Sequence, residues 1–191
     1  HCYPRAMNIL FVCDPLASFH IEKDSTFTMM REAQKRGHAV WACGTHDLAW
    51  QSGQQVSAPV QQLHLTADPL HWFTVTAEED TRALCSMDAV LMRKDPPFDN
   101  EYFYATHLLS QAAREGARVF NSPQALREHP EKLALMEFAE FASPTLVTRS
   151  AQAIRDFHTQ HSDIILKPLD GMGGMGIFRV KADGLNLGSI I

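Results

Sequence analysis

The sequence predicts an α/β fold, with a parallel-sheet domain first and a smaller α+β domain after it. Short apolar runs alternate with amphipathic segments from Asn8 to Phe120, a pattern typical of strand–helix–strand units. The short connections between them favour parallel pairing through right-handed crossovers. After Pro123 the pattern changes to extended segments around a glycine-rich loop. We therefore predict two domains, 7–123 and 124–191.

The composition is ordinary for a globular protein, with 45% hydrophobic and 20% charged residues among 191. The net charge is −5, from 17 Lys and Arg against 22 Asp and Glu, which favours neither a nucleic-acid partner nor a membrane partner. No apolar run reaches the ~18 residues that a transmembrane helix needs. Cys2, Cys13, Cys43 and Cys85 are scattered without a CxxC spacing, so we expect free thiols and a cytoplasmic location.

Capping residues and apolar spacing define the elements of the first domain. Asp24 or Ser25 can cap its first helix, and Asp99 or Asn100 its second. Residues 44–86 are less regular, and we assign no element order there. The predicted elements are the strand Asn8–Cys13, the helix Thr26–Arg36, the strand Ala39–Cys43, the strand Asp88–Met92, a helix that ends at Glu115, and the strand Arg118–Phe120.

Charged or polar loops follow three of these strands. Ligands of open α/β sheets bind at the carboxyl ends of strands, so we expect these loops to gather near a binding site. They are Asp14-Pro15, Arg93–Asp95 and Asn121–Pro123.

The second domain is predicted to be α+β and mostly antiparallel. Its helix Ala151–His161 should turn Ile154 and Phe157 inward. The other predicted elements are helices over Gln124–Arg127 and Glu131–Phe141 and strands over Thr145–Thr148, Asp163–Lys167 and Ile177–Val180.

Four glycines lie between Gly171 and Gly176, directly after the strand that ends at Lys167. Glycine allows the backbone to adopt conformations and close approaches that a Cβ would forbid, and successive bare N–H groups can hold an anion. A Rossmann or P-loop motif would continue into a helix, whereas Ile177–Val180 favours a strand. The pattern is compatible with a hairpin that closes over phosphates, with Lys167 as a point charge. A mobile glycine turn beside a solvated lysine is the alternative.

The segment Leu166–Gly174, together with Pro123–Arg127 and Glu131-Lys132, resembles the ATP-grasp superfamily. In that superfamily two lysines reach the nucleotide, and Lys132 and Lys167 match their positions. The resemblance implies a pre-ATP-grasp, Rossmann-like substrate domain followed by the first part of an ATP-grasp domain.

A closer resemblance is to the prokaryotic glutathione synthetase family, from about Met7 onward. The most specific block is Met92–Asp99, which generic ATP-grasp ligases lack. The matching blocks are Asp14-Pro15, Lys23–Phe27, Leu91–Asp99, Asn121–Arg127, Glu131–Leu133 and Ile164–Gly174.

The resemblance implies an ATP-dependent ligase that joins γ-glutamylcysteine to glycine through an acyl phosphate. It implies Mg²⁺ or Mn²⁺ as cofactor, a homo-oligomer (commonly a tetramer) and no nucleic-acid or membrane partner. The implied ATP-binding residues are Lys132, Lys167, Asp170, Gly171, Gly173 and Gly174. The implied substrate-binding residues are Arg93, Asp95, Asp24 and Ser25.

Other interpretations stay open. Arg93–Asp95 can be a solvated charged turn, and Asp24 and Ser25 can be plain helix caps. The family's magnesium ligands follow the region where this chain ends, so we expect no metal ligands within it and no complete turnover. Alternative functions are another ATP-grasp carboxylate–amine ligase, such as a D-alanine–D-alanine or ribosomal-protein glutamate ligase, or a non-catalytic nucleotide-binding fragment. A Rossmann dehydrogenase is disfavoured because no glycine pattern follows Asn8–Cys13.

Overall fold

Six strands form one sheet in the first of two compact units of the computed structural model, which describes residues 5–191. The first unit ends at Glu128 and the second begins at His129. The strands are β1 (Asn8–Val12), β2 (Ala39–Cys43), β3 (Ser57–Leu65), β4 (Phe73–Ala83), β5 (Ala89–Met92) and β6 (Val119–Phe120).

The order across this sheet is β4-β3-β2-β1-β5-β6. The four strands β2, β1, β5 and β6 run parallel, which confirms the predicted α/β class. β3 and β4 are antiparallel and lie in the stretch 44–86, where we predicted no element order.

Two longer helices of this unit begin at aspartate caps. α1 (Ser25–Lys35) starts after Asp24, whose side chain accepts a hydrogen bond from the Phe27 amide. α2 (Asn100–Arg114) starts after Asp99, which accepts from the Tyr102 amide in the same way. A carboxylate at this position also interacts favourably with the positive end of the helix dipole. α3 (Pro123–Glu128) is the third helix of the unit.

Alternation along β1 divides the core between the two faces of the sheet. Leu10 and Val12 belong to the cluster that contains Leu109 of α2, whereas Ile9 and Phe11 belong to the cluster that contains Met30 of α1. Successive side chains of a strand point to opposite faces, so α1 and α2 cover opposite faces. The carboxyl end of β1 lies between them.

The second unit has a small core around a two-stranded sheet. Ile164 and Val180 are buried there, and Ile154 and Phe157 pack against them, as predicted. Its elements are α4 (Ala151–His161), β7 (Ile164–Leu166), β8 (Phe178–Val180) and α5 (Leu187–Ile190), with β7 and β8 antiparallel.

Two predicted elements of this unit were wrong. Thr145–Thr148 forms no strand. The described sheet of this unit consists of β7 and β8, and neither strand offers this segment the backbone hydrogen bonds that a strand needs. Glu131–Phe141 is not an α-helix, since a 3₁₀ segment occupies Ala134–Phe141 with non-helical angles at Phe138. No residue of that segment is buried, and helices in proteins depend mainly on packing of an apolar face.

Cys13, Cys43 and Cys85 are free thiols, as predicted, while Cys2 lies outside the described residues. Across residues 5–191 no helix combines the length and apolarity needed to cross a bilayer.

Candidate nucleotide and substrate sites

The glycine loop connects β7 to β8, so a strand follows it, as predicted. Gly173, Gly174 and Gly176 have φ values of 61°, 80° and 68°, a left-handed region that strains other residues. A Cβ on Gly171 would lie 2.6 Å from Cγ of Pro168. The loop therefore depends on glycine both for its dihedral angles and for its close approach to Pro168.

Lys132 and Lys167 line one cleft of about 710 Å³ in the second unit. Lys167 directly follows β7, and the Lys132 ammonium donates a hydrogen bond to the Gly171 carbonyl at 2.5 Å. Lys132 and Gly171, which are 39 residues apart in sequence, are thus in contact, and Lys167 lines the same cleft as Lys132. An anion that entered this cleft would meet the positive charges of both lysines, although the carboxylates of Glu131 and Asp163 also line the cleft.

The remaining predicted nucleotide residues lie further along the loop. Asp170, Gly173 and Gly174 are exposed loop residues outside the cleft lining. The cleft wall includes Thr145, Leu146 and Val147 instead, which sequence reasoning assigned to a strand and not to a site. Leu146 and Val147 are apolar, yet 40% and 43% of their surfaces are exposed; this exposure is not visible in the sequence.

In the first unit, Arg93 binds the start of α1. Its Nε donates to Oγ1 of Thr26 at 3.0 Å, and its Nη2 donates to Oγ of Ser25 at 2.7 Å. Asp24 caps the same helix. Three of the four predicted substrate residues therefore meet at one helix end. Sequence reasoning missed Thr26, which is only 4% exposed.

The fourth predicted residue, Asp95, is held by Asp14. The Asp95 amide donates to Oδ2 of Asp14 at 2.7 Å, while the Lys94 ammonium lies 2.8 Å from Oδ1. Partial burial, followed by repulsion from Asp14 and Asp24, raises the pKa of the Asp95 carboxyl above its usual value. The loops after β1 and β5 thus meet, as expected for neighbouring parallel strands.

A second cleft, of about 400 Å³, opens where β1 and β2 end. Asp14 and Asp47 line it together with three acidic residues of β4, and Cys13 also belongs to its lining. Burial, reinforced by Asp14 and Asp24, raises the pKa of the Cys13 thiol to about 12. This thiol is therefore a packing group and not a nucleophile.

Two family models cover most of the chain. The model described as "Prokaryotic glutathione synthetase, N-terminal domain" matches residues 7–127. The model described as "Prokaryotic glutathione synthetase, ATP-grasp domain" matches residues 131–191.

The chain belongs to the prokaryotic glutathione synthetase family.

Relatives named glutathione synthetase agree with this membership. One from Ralstonia nicotianae is 55% identical over 185 residues, which are 97% of this chain and 56% of the relative. One from Nitrosomonas europaea is 49% identical over 187 residues, which are 97% of this chain and 58% of the relative. The chain thus spans a little more than half the length of these glutathione synthetases.

Solved structures confirm the fold. The D-cycloserine synthetase DcsG has a TM-score of 0.55 at 15% identity, covering 95% of this chain and 52% of its own. The ATP-grasp ligase PsnB complexed with minimal precursor has a TM-score of 0.51 at 19% identity, covering 95% and 58%. At such identities the likeness concerns the architecture alone.

Metal binding in glutathione synthetases was expected from residues outside this chain. Within residues 5–191, no group of three or more His, Cys, Asp or Glu side chains is arranged to hold an ion. Magnesium prefers several oxygen ligands in octahedral geometry, which this donor set does not provide. We therefore assign no chemical step to a metal held by these residues.

Proposed function

We propose that this chain carries the peptide-binding part, and the first nucleotide-binding part, of a glutathione synthetase. In the proposed reaction, an oxygen of the cysteinyl carboxylate of γ-glutamylcysteine attacks the γ-phosphorus of ATP, and ADP leaves. The glycine amine then attacks the carbonyl carbon of the acyl phosphate; phosphate leaves and the amine loses a proton. The observation that supports this most directly is the placement of Lys132 and Lys167 around one cleft beside the glycine loop.

In this proposal the two lysines neutralise the triphosphate. Charge-assisted hydrogen bonds to phosphate are stronger than neutral ones, and lysine acts as a mobile point charge. Lys132 would exchange the Gly171 carbonyl for a phosphate oxygen. The backbone amides from Asp170 to Gly174 would then follow the phosphates as the loop closes. The work of these residues is positioning and charge neutralisation.

We assign the peptide to the helix end where Arg93 and Asp95 lie. The hydrogen bonds of Arg93 use its Nε and Nη2, which leaves Nη1 for a peptide carboxylate. Asp24 and Asp95 supply negative charge nearby, and γ-glutamylcysteine carries one ammonium and two carboxylates. In this proposal Arg93 pairs with one carboxylate of the dipeptide, and Asp24 or Asp95 pairs with its ammonium. The domain roles, peptide binding by 7–123 and nucleotide binding by 124–191, are part of the same proposal.

Calorimetric titration tests the nucleotide assignment. We expect a non-hydrolysable ATP analogue to bind the chain, and Lys132→Met or Lys167→Met to weaken it about 10-fold or more, since each removes one charge-assisted contact. Lys181→Met is the matched control, because Lys181 is exposed in the same unit and outside the cleft lining. Equal affinities for all four proteins would refute the nucleotide assignment.

A substrate screen tests the peptide assignment. Titration with γ-glutamylcysteine, D-alanine and glutamate distinguishes a glutathione synthetase from the other ATP-grasp ligases considered above. A preference for D-alanine or glutamate would overturn the assignment. We also propose a homo-oligomer in the cytoplasm, which light scattering of the purified protein and imaging of a tagged copy in cells would check.

A further inference from the structure

We propose that Asp14 is a positioning residue of the peptide site, whose carboxylate fixes the loop 93–95 so that Arg93 stays directed at the start of α1. This inference rests on the proposed role of Arg93 in binding the peptide.

The β1–β5 ladder ends just before this loop. Val12 and Met92 are the last register partners, and the Arg93 amide makes the final backbone hydrogen bond, to the Val12 carbonyl at 2.7 Å. Beyond Arg93, the next two residues of the loop are held by Asp14. Asp14 follows the end of β1, and its side chain therefore continues the pairing of β1 with β5 beyond the last backbone hydrogen bond.

Both carboxylate oxygens of Asp14 are used, and for different donors. Oδ2 accepts from the Asp95 amide at 2.7 Å, and Oδ1 pairs with the Lys94 ammonium at 2.8 Å. The same ammonium donates to the Asp95 carbonyl at 2.8 Å. Asp14, Lys94 and the Asp95 backbone thus form a closed ring of interactions, and such networks constrain geometry more than a single surface ion pair does.

This ring acts on Arg93 through the chain. Lys94 and Asp95 directly follow Arg93, whose guanidinium must stay within reach of Ser25 and Thr26. A misplacement of about 1 Å in a positioning contact can reduce function strongly. Loss of the ring should therefore weaken peptide binding while leaving the separate glycine loop and its lysines unchanged.

Asp88 offers a matched control at the opposite end of the same strands. Its Oδ2 accepts from the Asn8 amide at 2.7 Å, so it connects the amino ends of β5 and β1 as Asp14 connects their carboxyl ends. Asp14→Asn and Asp88→Asn each remove the carboxylate charge and keep one oxygen that can still accept from the backbone amide. Only Asp14 pairs with a lysine, so only Asp14→Asn loses an ion pair, and only Asp14 lies beside Arg93.

The test compares these two variants with the unmutated chain. We expect Asp14→Asn to weaken γ-glutamylcysteine binding about 10-fold, to leave binding of the ATP analogue unchanged, and to speed amide hydrogen exchange over residues 93–95. Asp88→Asn should neither weaken dipeptide binding nor speed amide exchange over residues 93–95. Equal dipeptide affinity for Asp14→Asn and the unmutated chain, or an equal loss in Asp88→Asn, would overturn the inference.

Two further outcomes keep the result decisive. If Asp14→Asn does not fold, Lys94→Met removes the ion pair while Asp14 still accepts from the Asp95 amide, and it should show the same effects to a smaller degree. If the unmutated chain binds no dipeptide, the proposed peptide site fails. Hydrogen exchange then tests the role of Asp14 by itself. Unchanged exchange over residues 93–95 in Asp14→Asn would show that Asp14 does not fix the loop.

Discussion

The hydrogen bond from Arg93 to the buried Thr26 makes a quantitative prediction about stability. Thr26→Val keeps the side-chain shape and removes the acceptor, so we expect the free energy of unfolding to fall by about 1 kcal/mol. The loss stays this small because the Nε of Arg93 can form a hydrogen bond with water instead. Arg93→Met should lower it by about 2 kcal/mol, since it leaves the buried Thr26 hydroxyl without this partner and also removes the Ser25 contact. The double variant should lose about 2 kcal/mol, which gives a coupling energy of about 1 kcal/mol.

Urea unfolding followed by tryptophan fluorescence measures these values. The chain has three tryptophans, Trp41, Trp50 and Trp72, and all precede Glu128, so the signal reports the first unit alone. Linear extrapolation gives the free energy for each variant.

Thr28→Val is the matched control for this cycle. Thr28 lies on the same helix, is exposed, and its hydroxyl donates to the Asp24 carbonyl instead of accepting from Arg93. Its effect should add to that of Arg93→Met without coupling. A coupling energy near zero for Thr26, or an equal one for Thr28, would mean that Arg93 does not bind the helix start in solution.

Three further predictions concern charge, thiols and the glycine loop. The pKa of Asp95 is raised above its ordinary 3.8, so its ionised form disfavours the folded state; Asp95→Asn should melt higher than the unmutated chain at pH 7, and the difference should vanish as the pH falls to about 3.8. Iodoacetamide at pH 8 should modify Cys85 in the folded chain, but Cys13 and Cys43 only in urea, because burial raises the pKa of both thiols. Gly173→Ala should weaken binding of the ATP analogue, because alanine at φ 61° costs about 1 kcal/mol.

Each of these has a contrary result. A stability difference for Asp95→Asn that persists below pH 3.8 would exclude the ionised Asp95 carboxylate as its cause. If peptide mapping of the folded chain found Cys13 modified as fast as Cys85, that result would contradict the burial of Cys13. Gly53→Ala is the control for the loop, since Gly53 has φ 80° and open space around it in the first unit; an equal loss of nucleotide binding there would show that the effect is not local to the loop.

Elements with local signals were predictable from the sequence. α1, α2 and α4 combine a cap with helical apolar spacing, and β1 and β2 are short apolar runs. The hairpin β3–β4 was not predictable. In β3 the buried positions are Ala58, Val60, Leu63 and Leu65, and their alternation breaks at the register shift between Gln62 and Leu63. β4 is an edge strand with an acidic centre, so its structure comes from pairing with β3 and not from its own residues.

The candidate sites divide in the same way. The glycine loop and Lys167 are adjacent in sequence, so their association could be predicted. The contacts of Thr26 with Arg93 and of Asp14 with Asp95 join residues 67 and 81 apart, and nothing local to either partner indicates them. Thr145–Thr148 shows the converse: a β-branched segment remains irregular where no described strand pairs with it.

The contact between Lys132 and the Gly171 carbonyl bears on how any polyphosphate could enter the cleft. The ammonium is already engaged by a neutral acceptor, so an arriving phosphate must compete for it. Binding therefore exchanges one hydrogen-bond acceptor of Lys132 for another. The free energy of binding reflects the preference of the ammonium for a phosphate oxygen over a peptide carbonyl. That preference grows with the negative charge of the ligand, so weakly charged anions should displace the carbonyl poorly. The same exchange releases the Gly171 carbonyl from Lys132, so the glycine loop can move toward a highly charged ligand when that ligand binds.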